Sequence, residues 1–192
     1  MSSMEADLVR RAQDGDDEAF AGLVDLYQRP VYNLCYRMLG GSEQAAEDAA
    51  QETFWRAYQA IRRYDPQRSF ATWILSIAAH YCIDQQRKRR LPLADLDEVL
   101  EETAPDPHIP NPEHTVAQTE QQRALHALLN TLGPQDKAAV ILRYWYDYSE
   151  QEIANSLNLS VSAVKSRLHR ARLKLAEQWS AAEQKHAAVE RI

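Results

Sequence analysis

The chain has 192 residues, of which 22 are Lys or Arg and 28 are Asp or Glu, so its formal net charge is −6. This length fits one or two domains, and the hydrophobic fraction of 45% is sufficient for a buried core. Two cysteines, no apolar signal core at the N-terminus and no apolar run of membrane-spanning length argue against a disulfide framework, secretion and membrane insertion. We therefore expect a cytosolic protein with reduced thiols at Cys35 and Cys82.

The charges are segregated along the chain. Seven basic and two acidic residues lie between Arg62 and Arg90, whereas eight acidic residues and no Lys or Arg lie between Leu91 and Glu120. From Val161 to Lys174 there are five Lys or Arg and no acid. A negative sum therefore does not exclude a nucleic-acid partner, because the basic residues are gathered on separate segments.

Helices are expected throughout the first 90 residues, because glycine is scarce and apolar residues recur at helical spacing. Gly40-Gly41 is a helix stop, Pro66 disfavours helix in the loop before Arg68, and Ser42 and Ser69 are predicted N-caps. The predicted helices cover about 5–29, 30–39, 43–63 and 69–90. They predict an N-terminal four-helix domain over residues 1–90.

Residues 91–116 differ in character from the segments on either side. Pro occurs at 92, 105, 107, 110 and 112, and acidic residues are dense. This composition predicts an extended acidic linker and not a third domain. Helix is expected to resume near Val116, to break at 131–134 and to continue over about 135–147, and residues 180–192 are expected to form a frayed tail.

Residues 148–172 predict a helix-turn-helix, the strongest functional signal in the chain. Ile153, Ala154 and Leu157 form an apolar face on the first helix, Asn158 suits a left-handed turn, and Ser160 can cap the second helix. The second helix has its own inner face at Val161, Val164, Leu168, Ala171 and Leu175. Its predicted outer face is polar and basic and consists of Ser162, Lys165, Ser166, Arg167, His169, Arg170 and Arg172, of which the first six are the candidate DNA-binding residues.

A basic second helix after a tight turn is the arrangement that reads the major groove of DNA. The alternative is a surface helix that is basic without a nucleic-acid role. Agreement of cap, turn, inner face and charge favours the helix-turn-helix.

Three segments, in chain order, resemble those of extracytoplasmic-function (ECF) sigma factors. Residues 46–57 (AEDAAQETFWRA) are similar to the helix that binds core RNA polymerase in that family. Residues 70–78 (FATWILSIA), followed by Ile83-Asp84 and 87–90 (RKRR), resemble its promoter-melting helix. Residues 164–172 (VKSRLHRAR) closely resemble its reader of the upstream promoter element. The resemblance covers nearly the whole chain, although no single motif would be decisive.

Two departures from the family pattern stand out. Ala79 and His80 occupy positions where the melting helix usually has Arg-Asn, and this difference bears on promoter preference. Asn158 and Ser162 stand where glycine is commoner, which leaves the fold intact.

One side of the helix over 43–63 carries Asp48, Gln51 and Glu52, which lie within little more than one turn. From the residues alone, a solvated helix face explains them better than a binding surface. The resemblance reverses this preference and assigns these three residues, together with Trp55, to polymerase binding.

Arg62, Arg63, Tyr64 and Arg68 flank a loop beside an aromatic helix. Aromatic rings stack on unpaired bases and Arg neutralises the backbone, as gripping a melted strand requires. A core role explains Phe70 and Trp73 equally well, and we expect Phe70 and part of Trp73 to be structural. In the family this loop captures a displaced base. The resemblance therefore implies a start-proximal DNA-binding set of Arg62, Arg63, Tyr64, Arg68, Trp73, His80, Arg87 and Lys88.

Nothing in the sequence supports catalysis, a metal or a cofactor. His108 and His114 have no Cys at metal-ligand spacing, and His80 and Cys82 point to different helix faces. A phosphate-binding glycine loop and a nucleophile elbow are both lacking. We therefore expect a protein without enzymatic activity.

The sequence thus predicts an all-α protein of two helical domains joined by an extended acidic linker, with a helix-turn-helix in the second. The predicted units are residues 1–90, a linker at 91–116, a domain at 117–179 and a tail at 180–192. The resemblance implies an alternative sigma factor of the bacterial cytoplasm, monomeric when free, with core RNA polymerase, promoter DNA and an anti-sigma factor as partners. By the same resemblance its linker runs through the polymerase, a solvated tether being the alternative. The rival interpretation is a helix-turn-helix regulator that binds DNA independently of core polymerase.

Overall fold

The computed structural model describes residues 3–90 and 112–189, with side chains described for 4–89 and 120–180. Most of the predicted linker, residues 91–111, lies outside this part. The described residues form helices and no strand, so the all-α prediction is confirmed. The elements are α1 (Ser3–Gln13), α2 (Asp17–Met38), α3 (Glu43–Ala60), a 3₁₀ turn (Ile61–Arg63), α4 (Phe70–Arg90), α5 (Pro112–Asn130), α6 (Pro134–Trp145), α7 (Glu150–Leu157) and α8 (Val161–Val189).

The first two helices are divided differently from the prediction. The chain breaks at Gly15, which has φ +94°, and Asp16 then caps α2 by accepting from the Ala19 amide at 3.1 Å. Pro30 does not begin a helix but lies inside α2. An apolar stripe with Leu23 before it and Leu34 after it is buried on both sides of the proline. This continuous packing offsets the helix hydrogen bond that Pro30 cannot make.

Several predicted caps and turns are confirmed. Ser42 accepts from the Ala45 amide at 3.3 Å, and Ser69 accepts from the Thr72 amide at 3.4 Å. In the second half of the chain, α5 begins at Pro112 and not near Val116. Proline is favourable in the first turn of a helix, where its missing N–H costs nothing. α8 continues as helix to Val189, through most of the predicted frayed tail.

Each half of the chain has its own buried residues. In the first half α2, α3 and α4 pack around Leu34, Met38, Phe70 and Ile74, whereas in the second half α5 to α8 enclose Leu129, Ile141, Leu142 and Ile153. Burial of such side chains contributes about 2 kcal/mol each, so each half has the basis of a core.

The two halves also pack against each other, since α2 and α4 contact α6, and α4 contacts α7. Tyr146, just after α6, donates a hydrogen bond to the backbone oxygen of Pro30 at 2.6 Å. At Gly41, where φ is +86°, an added Cβ would lie 3.1 Å from Cδ2 of His126 on α5. The Gly40-Gly41 turn therefore both ends a helix and allows the second half to approach closely.

Candidate nucleic-acid and protein-binding surfaces

The helix-turn-helix is fixed by local hydrogen bonds at both helix starts. Ser149 and Glu152 form a reciprocal capping box at α7, a feature that the sequence analysis missed although the Ser-x-x-Glu pattern signals it. Asn158 adopts the left-handed conformation, with φ 53° and ψ 48°, as predicted. Ser160 caps α8 by accepting from the Ala163 amide at 3.2 Å. The angle between α7 and α8 is thus set by the residues that the pattern requires.

The recognition helix α8 has the predicted division between an inner and an outer face. Val164, Leu168 and Ala171 are buried in the domain core. Five of the six predicted upstream-element residues are exposed, namely Ser162, Lys165, Ser166, His169 and Arg170. Arg167, the sixth, is only partly accessible, because its side chain turns back toward α6.

Acidic residues lie beside this basic face. Arg167 donates from Nη1 to Oδ1 of Asp136 at 2.6 Å, and Nη2 of Arg170 lies 4.0 Å from the same oxygen. Lys165 pairs with Glu150 at 3.6 Å. Asp136 was not anticipated from the sequence, because it is 31 residues away from Arg167. The outer face is therefore a basic surface with a carboxylate built into its edge.

In the start-proximal set, Tyr64 differs from the expectation that it contacts DNA. It is 4% exposed, and its ring packs against Phe70 and Trp73 with centroids 5.4 and 4.9 Å away. Its hydroxyl donates to the backbone oxygen of Arg68, and burial raises its pKa to about 12. A base cannot stack on this ring in the structure, so Tyr64 is a core residue that shapes the loop.

The other members of that set differ in accessibility. Arg62, Arg63 and Arg68 are exposed around the loop, and Arg87 and Lys88 are exposed near the end of α4. Trp73 and His80 are half-buried, and His80 Nδ1 lies 2.8 Å from the backbone oxygen of Ser76. Phe70 is buried, as expected. The loop and the end of α4 thus carry five exposed cations, and Trp73 supplies a half-buried indole in the first turn of α4, features suited to binding a DNA strand.

Ala79, one of the departures in the melting helix, is fully buried. The arginine that usually follows Ile-Ala in the family could not be placed at this position without moving the packed neighbours. The departure is therefore matched by the packing around α4.

The α3 surface combines acidic residues with an exposed aromatic pair. Asp48 and Gln51 are exposed, and Glu52 pairs with Arg56 at 2.7 Å. Trp55 is 56% exposed and stacks on Tyr58 with the ring centroids 6.2 Å apart. Aromatic side chains of this kind are enriched at protein interfaces, so this surface suits a protein partner.

Other kinds of site find no support in the described part of the chain. Residues 3–90 and 112–189 contain no group of three His, Cys, Asp or Glu that could hold a metal ion. Across the same residues, no helix has both the length and the apolar character that crossing a bilayer requires.

A helix-turn-helix half packs against a helical half that has both a basic and an aromatic-acidic surface, and family models assign this combination to the sigma-70 class of transcription initiation factors. Family models described as "Sigma-70 region 2" and "Sigma-70, region 4" match residues 23–91 and 122–175. One match lies in each of the two packed halves of the chain.

Relatives and solved structures give the particular family. The chain is 36% identical over 179 residues to the ECF RNA polymerase sigma factor SigW of Bacillus subtilis (strain 168), covering 88% of this chain and 94% of the relative. The structure of CnrH in complex with the cytosolic domain of CnrY superposes with a TM-score of 0.70 at 26% identity, over 93% of this chain and 99% of CnrH. The sigma factor RpoE of Bartonella quintana, solved with the anti-sigma factor NepR, shares the fold with a TM-score of 0.66 at 22% identity, over 84% and 96%.

The chain belongs to the ECF RNA polymerase sigma factor family. It is an alternative sigma factor that directs polymerase to promoters, and the predicted family is confirmed. A regulator acting without polymerase is not favoured by these similarities.

Proposed function

We propose that this sigma factor works through three surfaces, one for core RNA polymerase and one for each of two promoter elements. The observation that carries the proposal is the outer face of α8. It is basic and exposed, whereas the inner face is buried in a capped helix-turn-helix. Such a helix has no packing reason to be basic, and the major groove supplies one.

The upstream element is read by the exposed residues of α8. Arg170 is suited to a bidentate contact with a guanine edge, and Lys165 to a phosphate, since an ammonium is a compact point charge. Ser162, Ser166 and His169 lie on the same exposed face and can donate to bases or backbone. Arg167 differs from these residues, because Asp136 holds its guanidinium.

The start-proximal element is held where α4 begins and along its exposed side. Arg62, Arg63 and Arg68 surround the loop, and Arg87 and Lys88 extend the basic surface along α4. Trp73 and His80 supply half-buried rings on the same helix. Cations together with a ring platform are what single-stranded binding requires. Tyr64 supports the loop from inside through its hydrogen bond to Arg68.

Core polymerase binds the α3 surface formed by Asp48, Gln51, Glu52 and Trp55. The acids supply charge complementarity to a basic partner, and the exposed indole supplies an apolar anchor. The chain is monomeric when free, acts in the bacterial cytoplasm and catalyses no reaction itself. The catalytic centre is that of the polymerase.

An anti-sigma factor is a further proposed partner. The sigma factor RpoE of Bartonella quintana is in complex with the anti-sigma factor NepR, so a sigma factor of this fold can carry a second polypeptide. A protein that covers α3 or the face of α8 would prevent transcription without altering the fold.

A reconstitution with purified components tests these assignments. Genomic fragments retained by the chain together with core polymerase are sequenced, and strand opening on them is followed by permanganate reactivity. We expect retention of specific fragments and strand opening only when both components are present. Tight binding of the chain alone to a palindrome, as a dimer, would favour the independent regulator.

A further inference from the structure

Arg167 lies on the recognition helix but is held by another helix. Its guanidinium donates to Asp136 on α6 at 2.6 Å, and the side chains of Arg167 and Asp136 are only 25% and 21% exposed. The Nε of Arg167 is buried without a hydrogen-bond partner among the described residues. A half-buried, charge-assisted hydrogen bond is stronger than a surface ion pair, so this guanidinium is kept in one place.

Asp136 is itself well fixed. It lies in the first turn of α6, which begins with Pro134 after Gly133, and a carboxylate is stabilised there by the positive end of the helix dipole. The same Oδ1 lies 4.0 Å from Arg170, whose side chain is 62% exposed. One carboxylate therefore holds one arginine back and lies beside a second that projects toward solvent.

We propose that Asp136 is a specificity-determining residue for the upstream element, which withholds Arg167 from DNA phosphates and positions Arg170 for base reading. This inference rests on the proposed role of α8. Non-specific binding grows with each Lys or Arg that reaches a phosphate, whereas promoter selection depends on the ratio of specific to non-specific affinity. A carboxylate at the edge of the groove lowers the non-specific affinity and leaves the directed contact of Arg170 in place.

The informative variant is Asp136→Asn, which keeps the side-chain shape and removes the charge. Asp147→Asn is the matched control, because it makes the same change of charge in the same half of the chain. Asp147 is exposed and has φ 53°, a conformation that Asn tolerates. Differences between the two variants therefore report the position of the carboxylate and not the net charge.

Two measurements separate affinity from selectivity. The full-length chain is titrated onto poly(dI-dC) over a range of salt concentrations. The holoenzyme formed with core polymerase is then used to select from duplexes with a randomised upstream segment, and the retained pool is sequenced. For Asp136→Asn we expect several-fold tighter binding to poly(dI-dC). We also expect the salt slope, which is the slope of log K against log salt concentration, to be steeper by about one, as for one added phosphate contact. We expect upstream sequence enrichment to fall about tenfold, within the range of one lost base contact.

Arg167→Gln tests the inference with Asp136 in place, so it stays informative if Asp136→Asn alters folding, and the double variant tests the origin of the added contact. In Asp136→Asn/Arg167→Gln the released guanidinium is absent, so the salt slope is expected to return toward the wild-type value. The enrichment is expected to recover only in part, because the carboxylate beside Arg170 is still missing. Arg167→Gln alone is expected to keep most of the enrichment, and Arg170→Ala to lose it at one position.

The outcomes distinguish failure of the proposed role of α8 from failure of the role of Asp136. If the wild-type holoenzyme shows no upstream preference, the proposed role of α8 is wrong. If the wild type selects a sequence and Arg170→Ala abolishes part of the selection, but Asp136→Asn behaves like Asp147→Asn, the role of Asp136 is overturned. Loss of enrichment in Arg167→Gln equal to that in Arg170→Ala would also overturn it, because Arg167 would then read DNA directly.

Discussion

Lys137 of the second half donates a hydrogen bond from Nζ to the backbone oxygen of Met38 in the first half, at 2.6 Å. It also donates to Oδ1 of Asn130 at 2.7 Å, and it is 1% exposed. Met38 is the last residue of α2, so its carbonyl lies at the negative end of that helix. A buried ammonium on a helix C-terminus thus joins the two halves of the chain.

Replacement of Lys137 tests this connection. Lys137→Ala removes both hydrogen bonds and leaves a cavity, so we expect a loss of about 2 kcal/mol in the free energy of unfolding in urea. Lys137→Met fills the volume and removes the cost of burying a charge, so its loss is expected to be smaller than about 1 kcal/mol. Lys88→Ala, on an exposed side chain, is the control. Equal stability of Lys137→Ala and wild type would contradict the role of this contact.

The same junction is expected to respond to pH through His126. Burial lowers the pKa of His126, as do the nearby charges of Lys137 and Arg37, and the ring packs edge-on against Tyr36. The unfolded chain therefore takes up the proton first, so stability is full above the ordinary pKa of 6.5 and is lost as the pH falls below it. The urea midpoint is measured against pH for the wild type and for His126→Gln. A slope in this window that survives in His126→Gln would assign it to another group.

Local features were predictable and long-range pairings were not. Ser42, Asn158 and Ser160 act where the chain requires a cap or a left-handed residue, so the neighbouring sequence reveals them. The break at Gly15 was missed because apolar residues continue at helical spacing across it. The contact of Lys137 with Met38 joins residues 99 positions apart, and no local periodicity records such a distance.

The candidate sites follow the same division. Exposure of Lys165 and Arg170 follows from helix periodicity, since Val164 and Leu168 define the opposite face. The burial of Tyr64 does not follow from periodicity. A tyrosine in a basic loop can stack on a base or pack in a core, and its neighbours in the fold decide between the two. Phe70 and Trp73 supply those neighbours only after α4 packs.

Tyr64 and Arg63 are adjacent, yet their substitutions are expected to affect different properties, namely stability for Tyr64 and promoter opening for Arg63. Tyr64→Phe loses the hydrogen bond to the backbone oxygen of Arg68, so the free energy of unfolding is expected to fall by about 1 kcal/mol. Arg63→Ala changes an exposed side chain and is expected to alter stability by less than about 0.5 kcal/mol. Promoter opening by the holoenzyme, measured by permanganate reactivity, is expected to decrease in Arg63→Ala. Normal opening by that variant would remove Arg63 from the DNA-binding set.

Charge reversal on α3 tests the polymerase surface. Asp48 is exposed, and its carboxylate accepts only an exposed hydrogen bond from Gln44 at 3.2 Å among the described side-chain contacts. Asp48→Lys is therefore expected to weaken binding to core polymerase about tenfold and to leave the circular dichroism spectrum unchanged. Asp25→Lys, an equal charge change on the exposed side of α2, serves as the control. Loss of helix in Asp48→Lys, or equal weakening in Asp25→Lys, would argue against a specific contact.

Arg170 and Lys165 are expected to contribute to promoter binding by different mechanisms. Removal of a base-reading arginine in Arg170→Ala should cost about 1–3 kcal/mol on the preferred sequence and relax preference at one position.

Lys165 pairs with Glu150 through exposed atoms, so it is free to exchange that partner for a phosphate. Lys165→Ala should therefore weaken binding evenly across sequences and reduce the salt slope by about one. The affinity and the salt slope of both variants, Arg170→Ala and Lys165→Ala, are measured by titrating holoenzyme onto matched and mismatched upstream elements at several salt concentrations. Arg10→Ala, on the exposed side of α1, is expected to change neither quantity. A uniform loss in Arg170→Ala, with every mismatch penalty intact, would make Arg170 a phosphate contact and leave base reading to the other exposed residues of α8.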